Sequence, residues 1–264
     1  MSLFSRNIVI LGISSDIGAA LARMAAANKD CKLLLVSRKP EAEMRKLLGK
    51  NGLGSLLDNA RSRFLFDVDL TKEDSLRKLR QTALSYFKEP FSVIHSVGDF
   101  WYHKRLIDMK FSEIRMMMES HILTFAGAAH ALVPVLIKKG GGRLVAFSCN
   151  SVLYNYPDMA PFTSSKAAIE TFIKCLAHEY AEYGIAATAL ALPTILTEKV
   201  IKGKEIQGRE SYVTPEELSD MLLNQVLTLP LTVNGNIIEV YKYNPTFYHS
   251  GYFQRNPRPE KAKG

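Results

Sequence analysis

The sequence predicts an α/β protein in which a doubly wound parallel sheet carries helices on both faces. Short apolar runs such as Ile8–Leu11 and Ile185–Leu192 recur along the chain, and such runs are typical of strands buried on both faces. Longer stretches of helical period separate these runs, as the crossover connections of parallel strands require. No repeat or linker divides the 264 residues, which indicates a single domain over residues 1–264.

Composition and charge are those of a globular protein with a basic surface. Hydrophobic residues make up 47% and charged residues 23% of the chain, and the formal net charge is +8. The basic residues are scattered apart from the Pro-rich stretch Arg255–Lys263, so a small phosphate-bearing molecule is a better partner than nucleic acid. The cysteines Cys31, Cys149 and Cys175 have neither metal nor disulfide spacing, which fits a reducing compartment. With no signal peptide and no stretch of membrane-spanning length apparent, we expect a cytoplasmic protein without membrane contact.

The first unit of the chain, Asn7–Ala27, combines a strand, a glycine turn and a helix. The turn begins at Gly12, and Ile17, Leu21 and Met24 then recur at helical spacing. This arrangement points free backbone N–H groups and a helix dipole at a phosphate. The sequence therefore predicts a phosphate-binding turn, with glycine where a side chain would hold the phosphate away from the backbone.

The next elements alternate in the same way up to a fourth strand. The predicted strands are Lys32–Ser37, Arg63–Phe66 and Phe91–Val97. One helix is predicted at Glu41–Lys50, and another begins near Thr71, which together with an acid three residues later resembles a helix start. Residues 99–110 lack a period and are expected to form a loop with one helical turn.

The second half contains the two longest predicted helices and ends in a last strand. The helices are Phe111–Lys138, with Ser112 as its cap, and Phe162–Tyr183. The predicted strands are Arg143–Ser148, Ile185–Leu192 and Asn236–Val240, and a final helix begins with Thr214 as cap and Pro215 at its first position. Residues 149–161 and 194–211 are expected to be loops.

This order of elements resembles the short-chain dehydrogenase/reductase family along nearly the whole chain. Gly12–Gly18 is similar to the family's Gly-x-x-x-Gly-x-Gly fingerprint, with Asp16 in place of the middle glycine. Because an Asp at a helix N-terminus caps free N–H groups, we expect the Asp16 carboxylate to cap its own helix, turned away from the phosphates. The resemblance implies a Rossmann-like domain that binds NAD(P) through this turn. The turn residues implied in binding are Gly12, Ser14, Ser15, Ile17 and Gly18.

The residue after the second strand indicates which dinucleotide is held. In this family an acid at that position holds the adenosine ribose, whereas a base pairs with the 2′-phosphate of NADP. This chain has Ser37 and Arg38 there and no acid, so NADP(H) is favoured over NAD(H). The resemblance implies further cofactor contacts at Asp69, Leu70, Gly98, Lys166, Pro193, Ile195 and Thr197, although Asp69 would equally serve as a plain turn residue.

The family's catalytic set is only partly present. In the family a Tyr donates a proton while nicotinamide delivers hydride, and a Lys four residues later, a Ser and an Asn support it. Lys166 matches the Lys, but the Tyr position holds Phe162. Cys149, with Ser148 and Ser151 beside it, matches the Ser position, and His121 matches the Asn.

Three interpretations of this set remain open. The fold and cofactor site persist without turnover, as a silent sensor or scaffold. Alternatively, another group donates the proton: Tyr154, Tyr156, His121, or a water held by Ser148 or Ser151. As a third interpretation, the reaction reduces an activated double bond whose carbon takes its proton from solvent. The leading hypothesis is an oxidoreductase acting on a small molecule with a non-standard proton donor.

The resemblance also implies how the substrate side is built. Glu198–Ser211, the substrate segment, matches the family's lid, and Trp101, Tyr102 and His103 would face the substrate cleft. The aromatic and basic tail, 241–264, departs from the family and is expected to dock over the cleft or on a neighbouring subunit. The two long helices are the family's usual dimerisation faces, so a dimeric or tetrameric homo-oligomer is implied. No metal site is expected.

Overall fold

The computed structural model describes residues 6–98, 104–203 and 212–242. Within these ranges seven strands form one parallel sheet in the order β3-β2-β1-β4-β5-β6-β7, which confirms the predicted fold class. The strands are β1 Asn7–Leu11, β2 Lys32–Val36, β3 Ser62–Leu65, β4 Phe91–His95, β5 Gly142–Cys149, β6 Ile185–Leu192 and β7 Asn236–Glu239.

Helices connect successive strands and cover both faces of the sheet. They are α1 Asp16–Ala27, α2 Glu41–Lys50, α3 Glu73–Tyr86, α4 Phe111–Met118, α5 Thr124–Lys138, α6 Ser151–Tyr154, α7 Ala160–Glu179, α8 Glu198–Gly203 and α9 Pro215–Asn224. A π-helical turn, Glu119–Leu123, joins α4 to α5, so the long helix predicted over 111–138 is continuous but locally widened. Such turns are rare and often mark functional sites.

The strand order reverses beside β1, and this reversal determines where a ligand-binding crevice is expected. β1 pairs with β2 on one side and with β4 on the other, so Leu11 lies opposite both Val36 and His95. The segments that follow these three strands therefore meet at one edge of the sheet. Crevices at such a reversal are where open α/β sheets bind ligands.

Two hydrophobic clusters fill the two faces, because side chains alternate along each strand. Val9 and Leu34 belong to the cluster that includes Leu132 of α5 and Ile173 of α7. Their strand neighbours belong to the opposite cluster, which also holds residues of α1 and α9. The continuous apolar runs in the sequence thus reflect strands covered on both faces.

Helix starts were the least accurate part of the prediction. The helix expected near Thr71 begins at Glu73 instead, and the Thr71 hydroxyl donates to Asp69 Oδ1 at 2.7 Å. Ser112 lies inside α4, whose cap position is Lys110. The predicted cap at Thr214 is confirmed, since its hydroxyl accepts the Glu217 N–H at 3.1 Å.

Two segments expected to be loops contain short helices. Ser151–Tyr154 forms one turn within residues 149–161, and Glu198–Gly203 forms another within 194–211. Helices of four and six residues are too short to show a hydrophobic period, so the sequence could not indicate them.

The expectation that no stretch has membrane-spanning length was wrong. Among the described residues, one helical stretch, Phe111–Lys138, is long and apolar enough to cross a membrane by length and composition, with mean hydropathy 1.6. A little over half of its most apolar window, 56%, is buried in the protein, where Phe125 and Leu136 pack in the core. A helix against the centre of a sheet meets the same criterion, because its inner face is apolar throughout.

Several predictions from the sequence lie outside the described residues. These are the positions of Trp101, Tyr102 and His103, of the substrate segment beyond Gly203, and of the tail beyond Lys242.

Candidate active site

The turn after β1 is shaped by two glycines and one serine. Gly12 has φ +94°, and a β-carbon on it would come within 3.0 Å of the Ser96 carbonyl oxygen. A β-carbon on Gly18 would lie 2.3 Å from the Gly12 carbonyl oxygen, so only glycine lets α1 pack this closely on the turn. Ser15 is the cap of α1, because its hydroxyl accepts the Gly18 N–H at 3.0 Å and donates to Gly12 O at 2.9 Å.

Asp16 does not have the role expected from the sequence. It is the first residue of α1 and not the cap of that helix, which is Ser15. Its Oδ2 instead accepts the backbone N–H of Glu198, the first residue of α8, at 2.6 Å. The capping prediction was wrong because the sequence shows no sign that these distant positions are neighbours.

Eight of the predicted cofactor residues line one cavity of about 250 Å³ at the strand-order reversal. They are Gly12, Ser14, Ser15, Ser37, Arg38, Asp69, Leu70 and Gly98. The other six predicted cofactor residues do not line it: Ile17, Gly18, Lys166, Pro193, Ile195 and Thr197. Ile195 is buried where it bridges to Val213. Another cavity, beside Cys31 and Arg61 at the opposite edge of the sheet, contains none of the predicted site residues.

At the Arg38 end of the cavity, a cation lies near a carboxylate. Partial burial by itself would raise the pKa of the Asp69 carboxyl, but hydrogen bonds from Thr71 and the charges of Arg38 and Lys72 hold that pKa below its usual value. Ser37 is buried, and its hydroxyl accepts the Lys39 N–H at 3.0 Å. The exposed Arg38 is thus the strongest group here for an added phosphate.

At the other end of the cavity, Gly98 brings the backbone close to two candidate catalytic residues. A β-carbon on Gly98, whose φ is +136°, would lie 2.6 Å from His121 Cδ2 and 3.4 Å from Lys166 Nζ. Any larger residue would collide with the imidazole. His121 and Lys166, which are far apart in sequence, therefore lie together at this edge as the resemblance predicts.

His121 is fully buried within the π-helical turn. Its Nδ1 is 2.7 Å from Ser165 Oγ, and the Ser165 hydroxyl donates to the Phe162 carbonyl at 2.6 Å. On its other side the ring lies against the Gly98 backbone, and a hydrogen bond with that backbone acts to raise the pKa of the ring. Burial and the nearby Lys166 charge lower the pKa of His121 to about 2, so the ring stays neutral.

Lys166 is a buried amine on α7. Its Nζ donates to the Phe147 carbonyl at 3.0 Å, and the side chain is 5% exposed. Burial lowers the pKa of Lys166 to about 8, against a smaller opposing influence of Cys149. Lys166 is therefore charged at neutral pH but able to release a proton just above it.

Phe162 places only hydrocarbon where the family has a phenol. Its ring lies edge-on to the His121 ring, with centroids 5.3 Å apart, and Lys166 Nζ is 5.8 Å from its centroid. The aromatic ring thus keeps its place beside the lysine, but it has no group that can donate a proton.

The other predicted catalytic residues are arranged differently. Cys149 ends β5, and its sulfur accepts the Ser151 N–H at 3.5 Å. The Ser148 hydroxyl donates to Glu170 Oε1 at 2.6 Å, so its proton is already used. The Tyr154 and Tyr156 rings stack on each other at 5.7 Å and are partly exposed, as packing residues would be.

The structure adds residues to the site that the sequence did not reveal. Met116, Glu119, Ser120 and Thr124 line the cavity from one face of the helix around the π turn. Thr124 also accepts a hydrogen bond from the buried His95, at 3.1 Å. The available signal was the pair of hydroxyl residues Ser120 and Thr124, four apart in a largely apolar stretch. Ser165, which orients His121, gave no signal because its partner is 44 residues away.

Comparisons with known proteins match most of this chain. A family model described as short chain dehydrogenase matches residues 6–206. The chain is 26% identical over 240 residues to a fatty acyl-CoA reductase of Acinetobacter baylyi, a match that covers 87% of this chain and 77% of that one. It is 21% identical over 236 residues to an NADPH-dependent pterin aldehyde reductase of Arabidopsis thaliana, covering 89% of this chain and 93% of the relative.

Solved structures show the same fold. ElxO with NADP bound matches with a TM-score of 0.76 at 20% identity, covering 89% of this chain and 96% of ElxO. A tyrosine-to-phenylalanine variant of ElxO with NADPH bound matches equally well, with the same TM-score and coverage. A short-chain type dehydrogenase/reductase from Mycobacterium ulcerans matches with a TM-score of 0.79 at 16% identity, over 91% of this chain and 90% of that one.

Proposed function

This chain belongs to the short-chain dehydrogenase family, and from that premise we propose that it is an NADP(H)-dependent reductase in which Lys166 replaces tyrosine as the proton donor. The bound dinucleotide would supply the hydride. The chain's own residues would bind it, position a small substrate and deliver the proton. The observation that carries the proposal is the buried Lys166 amine, whose pKa lies near 8.

The choice of NADP(H) rests on the charge at the end of β2. Arg38 lines the cavity where an acid would repel a 2′-phosphate, and a guanidinium binds phosphate oxygens through paired hydrogen bonds. The relatives support this choice, since the pterin aldehyde reductase is named as NADPH-dependent and ElxO is described with NADP bound. Gly98 also lines the cavity, and its missing side chain lets the backbone pack directly against His121 and Lys166.

Lys166 is suited to hold and release the proton. A general acid works best when its pKa is close to the ambient pH, and burial brings this amine there. With a pKa near 2, His121 stays neutral and cannot be the acid. We assign His121 the role of a positioning residue, because its imidazole lies beside Lys166 and against Gly98, which lines the cavity. Cys149, at the end of β5, would contact the substrate.

The substrate class that suits this site is a small molecule with an activated double bond or a reactive carbonyl. Reduction at such a centre needs less help from a strong acid than reduction of a plain ketone. The matched relatives act on a fatty acyl-CoA and a pterin aldehyde, by their names, and both are reactive acyl or aldehyde compounds. Tyr156, on the loop before α7, would line the substrate side.

A second candidate function is a cofactor-binding protein without turnover. Phe162 favours it, because a phenyl ring removes the family's acid while leaving Lys166 to bind ribose. The ElxO variant with phenylalanine in place of a tyrosine, described with NADPH bound, supports cofactor binding after such a change.

We also propose that the chain forms a homo-oligomer. Phe111 and Leu123, on the helix predicted as a dimerisation face, are 71% and 50% exposed in the single chain. Large apolar side chains this exposed on one helix favour a covered surface. Sedimentation of the purified protein would show a dimer or tetramer, and a monomer at micromolar concentration would contradict the proposal.

The deciding experiment combines binding with turnover. NADPH affinity is titrated first, and NADPH consumption is then followed with ketones, aldehydes, quinones and activated alkenes. We expect NADPH to be consumed with one of these substrate classes. This consumption should decline above pH about 8 and should be lost in Lys166→Met. Tight binding with no turnover would contradict the reductase and favour the silent protein, whereas absence of NADPH binding would contradict both.

A Phe162→Tyr variant tests whether the rest of the site is arranged for family chemistry. The new hydroxyl would lie beside Lys166 and add an acid, so ketone reduction is expected to rise by about 10²-fold or more. Phe162→Leu is the matched control, since it changes the ring without adding a hydroxyl. Equal rates in the two variants would show that the surrounding groups cannot use a phenol.

A further inference from the structure

The π-helical turn Glu119–Leu123 interrupts the long helix between α4 and α5, and His121 lies at its centre. In an α-helix the Thr124 N–H would bond to the Ser120 carbonyl, four residues earlier. It bonds instead to the Glu119 carbonyl, five residues earlier, as a π turn requires. The Ser120 carbonyl is therefore without the donor that an α-helix would give it.

The Thr124 side chain takes the place of that backbone bond. Its hydroxyl donates to the Ser120 carbonyl at 2.8 Å, and the His121 carbonyl lies 3.1 Å from the same oxygen. A hydroxyl that bonds back to the preceding turn competes with the backbone pattern and bends a helix. Thr124 therefore stabilises the widened turn in a way that an apolar side chain of the same shape cannot.

His95, the last residue of β4, holds the Thr124 hydroxyl from the side of the sheet. Its Nε2 lies 3.1 Å from Thr124 Oγ1, and its buried ring packs edge-on against Phe125, with centroids 5.4 Å apart. Because the single hydroxyl proton of Thr124 goes to a backbone carbonyl, the imidazole N–H is the donor in this contact. Burial and the charge of Lys166 lower the pKa of His95 to about 3, so the ring stays neutral. The contact ties the Thr124 side chain to the central sheet.

The widened turn decides where the His121 ring lies. A β-carbon on Gly98 would be 2.6 Å from His121 Cδ2, and His121 Nδ1 is 2.7 Å from Ser165 Oγ. Adding or removing one residue in a helical turn rotates the preceding part by about 100° relative to the following part. If the turn returned to α geometry while α5 stayed packed in the core, His121 would lose these contacts.

We propose that Thr124 and His95 are positioning residues that hold the π-helical turn and so place His121 beside Lys166. His95 does not line the cavity, so it acts through Thr124. The inference deepens the proposed function, because the place of His121 matters to the reaction only if Lys166 delivers a proton. The turn itself is tested without any turnover.

The test is the nuclear Overhauser effect between His121 Hδ2 and the Gly98 α-protons, measured by NMR on the full-length protein without NADPH. The wild type should show this signal, because His121 Cδ2 lies against the Gly98 backbone. Thr124→Val keeps the shape of the side chain but removes the hydroxyl, so the signal should be lost. Thr124→Ser keeps the hydroxyl and should retain the signal. A wild-type signal in Thr124→Val would overturn the proposal.

Variants of His95 test the same support from the other side. His95→Phe keeps a buried ring but has no N–H, so the signal between His121 and Gly98 should weaken several-fold, whereas His95→Gln keeps a donor and should retain most of it. Ser120→Ala is the matched control, since it removes a hydroxyl of the same turn that donates elsewhere, and its signal should equal that of the wild type. If Thr124→Val folds poorly, His95→Phe decides, and an unchanged signal there overturns the role of His95.

Kinetics separate this proposal from the proposed function. In His95→Phe, kcat for NADPH consumption should fall about tenfold or more, because His121 is misplaced, while KM for NADPH stays within about twofold of the wild type. His95→Gln should recover most of the loss. If kcat is unchanged although the NMR signal is lost, the role of the turn in the reaction is overturned. If the wild type consumes no NADPH, the reductase fails, and the NMR signal still decides whether Thr124 and His95 hold the turn.

Discussion

At the scale of single residues, the site depends on one buried amine and the groups around it. Lys166 is held by the Phe147 carbonyl and lies beside a phenyl ring and a neutral imidazole. None of these three neighbours carries a negative charge, and the opposing influence of Cys149 is smaller than the effect of burial, so the pKa falls to about 8. The buried ammonium thus destabilises the folded chain at the position where the proposed reaction would need proton transfer.

The burial of Lys166 predicts how stability depends on pH. Its pKa is lower in the folded chain than in the unfolded one, so the unfolded chain binds more protons between pH 8 and 10.5. For this group, stability therefore rises with pH through that window. Lys166→Met removes this effect. From pH 7 to pH 10, the unfolding free energy of the wild type should therefore rise by about 2 kcal/mol relative to that of the variant.

Urea denaturation at the two pH values provides the measurement. Lys174→Met is the control, since it removes an exposed lysine from the same helix. If the difference in unfolding free energy between Lys166→Met and the wild type is constant over the same pH range, folding does not lower the pKa of the Lys166 amine.

At the scale of elements, connections between strands are secured by polar groups inside the protein. Arg143 of β5 is fully buried, and its guanidinium donates to Thr188 of β6 at 3.0 Å. It also donates to the carbonyls of Leu229, Pro230 and Val233, which lie between α9 and β7. Burial lowers the pKa of Arg143, and these acceptors replace the water lost by its two terminal nitrogens, whereas Nε has no partner among the described residues.

Replacing Arg143 should therefore destabilise the second half of the sheet. Arg143→Met keeps much of the volume but leaves three carbonyls without their donor, at an expected cost of about 3 kcal/mol. Arg80→Met is the matched control, because Arg80 also donates to two carbonyls but is only partly buried, and it should cost about 1 kcal/mol. If urea denaturation shows the same loss of unfolding free energy in Arg143→Met and Arg80→Met, the larger contribution expected from the buried arginine is contradicted.

At the scale of the whole molecule, the site is assembled from both halves of the chain. The residues that line the cavity, Gly12 to Thr124, come from the first half, and Lys166 and Glu198 of the second half lie beside Gly98 and Asp16. A ligand that spans this crevice would contact both halves. Its binding should stabilise the fold as a unit.

Thermal unfolding can measure that stabilisation. NADPH at about one hundred times its Kd should add about 2.7 kcal/mol, which raises Tm by several degrees. NADH at the same concentration should raise Tm less, since it lacks the phosphate that Arg38 would bind. An Arg38→Ala variant should remove the difference between the two cofactors, and an equal response of the wild type to both would contradict the NADP(H) assignment.

The sequence was sufficient for the parts that depend on local pattern. Strands such as Ile185–Leu192 were predicted to the residue, because a strand covered on both faces is apolar throughout. The cap at Thr214 was confirmed because capping involves residues only three apart. The family motifs likewise placed Gly98, His121 and Lys166 at one site, where the structure brings them together.

By itself, then, the sequence determined the fold class, the order of the elements and the set of candidate residues. Only the tertiary structure decided which partner each of those residues has: Asp16 reaches Glu198, His121 bonds to Ser165, and Ser148 is held by Glu170. Lys166 also acquires its lowered pKa only through burial in the folded chain. The physical reason is that periodicity and capping act over a few residues, whereas hydrogen bonds and desolvation depend on groups that meet only when distant segments pack together.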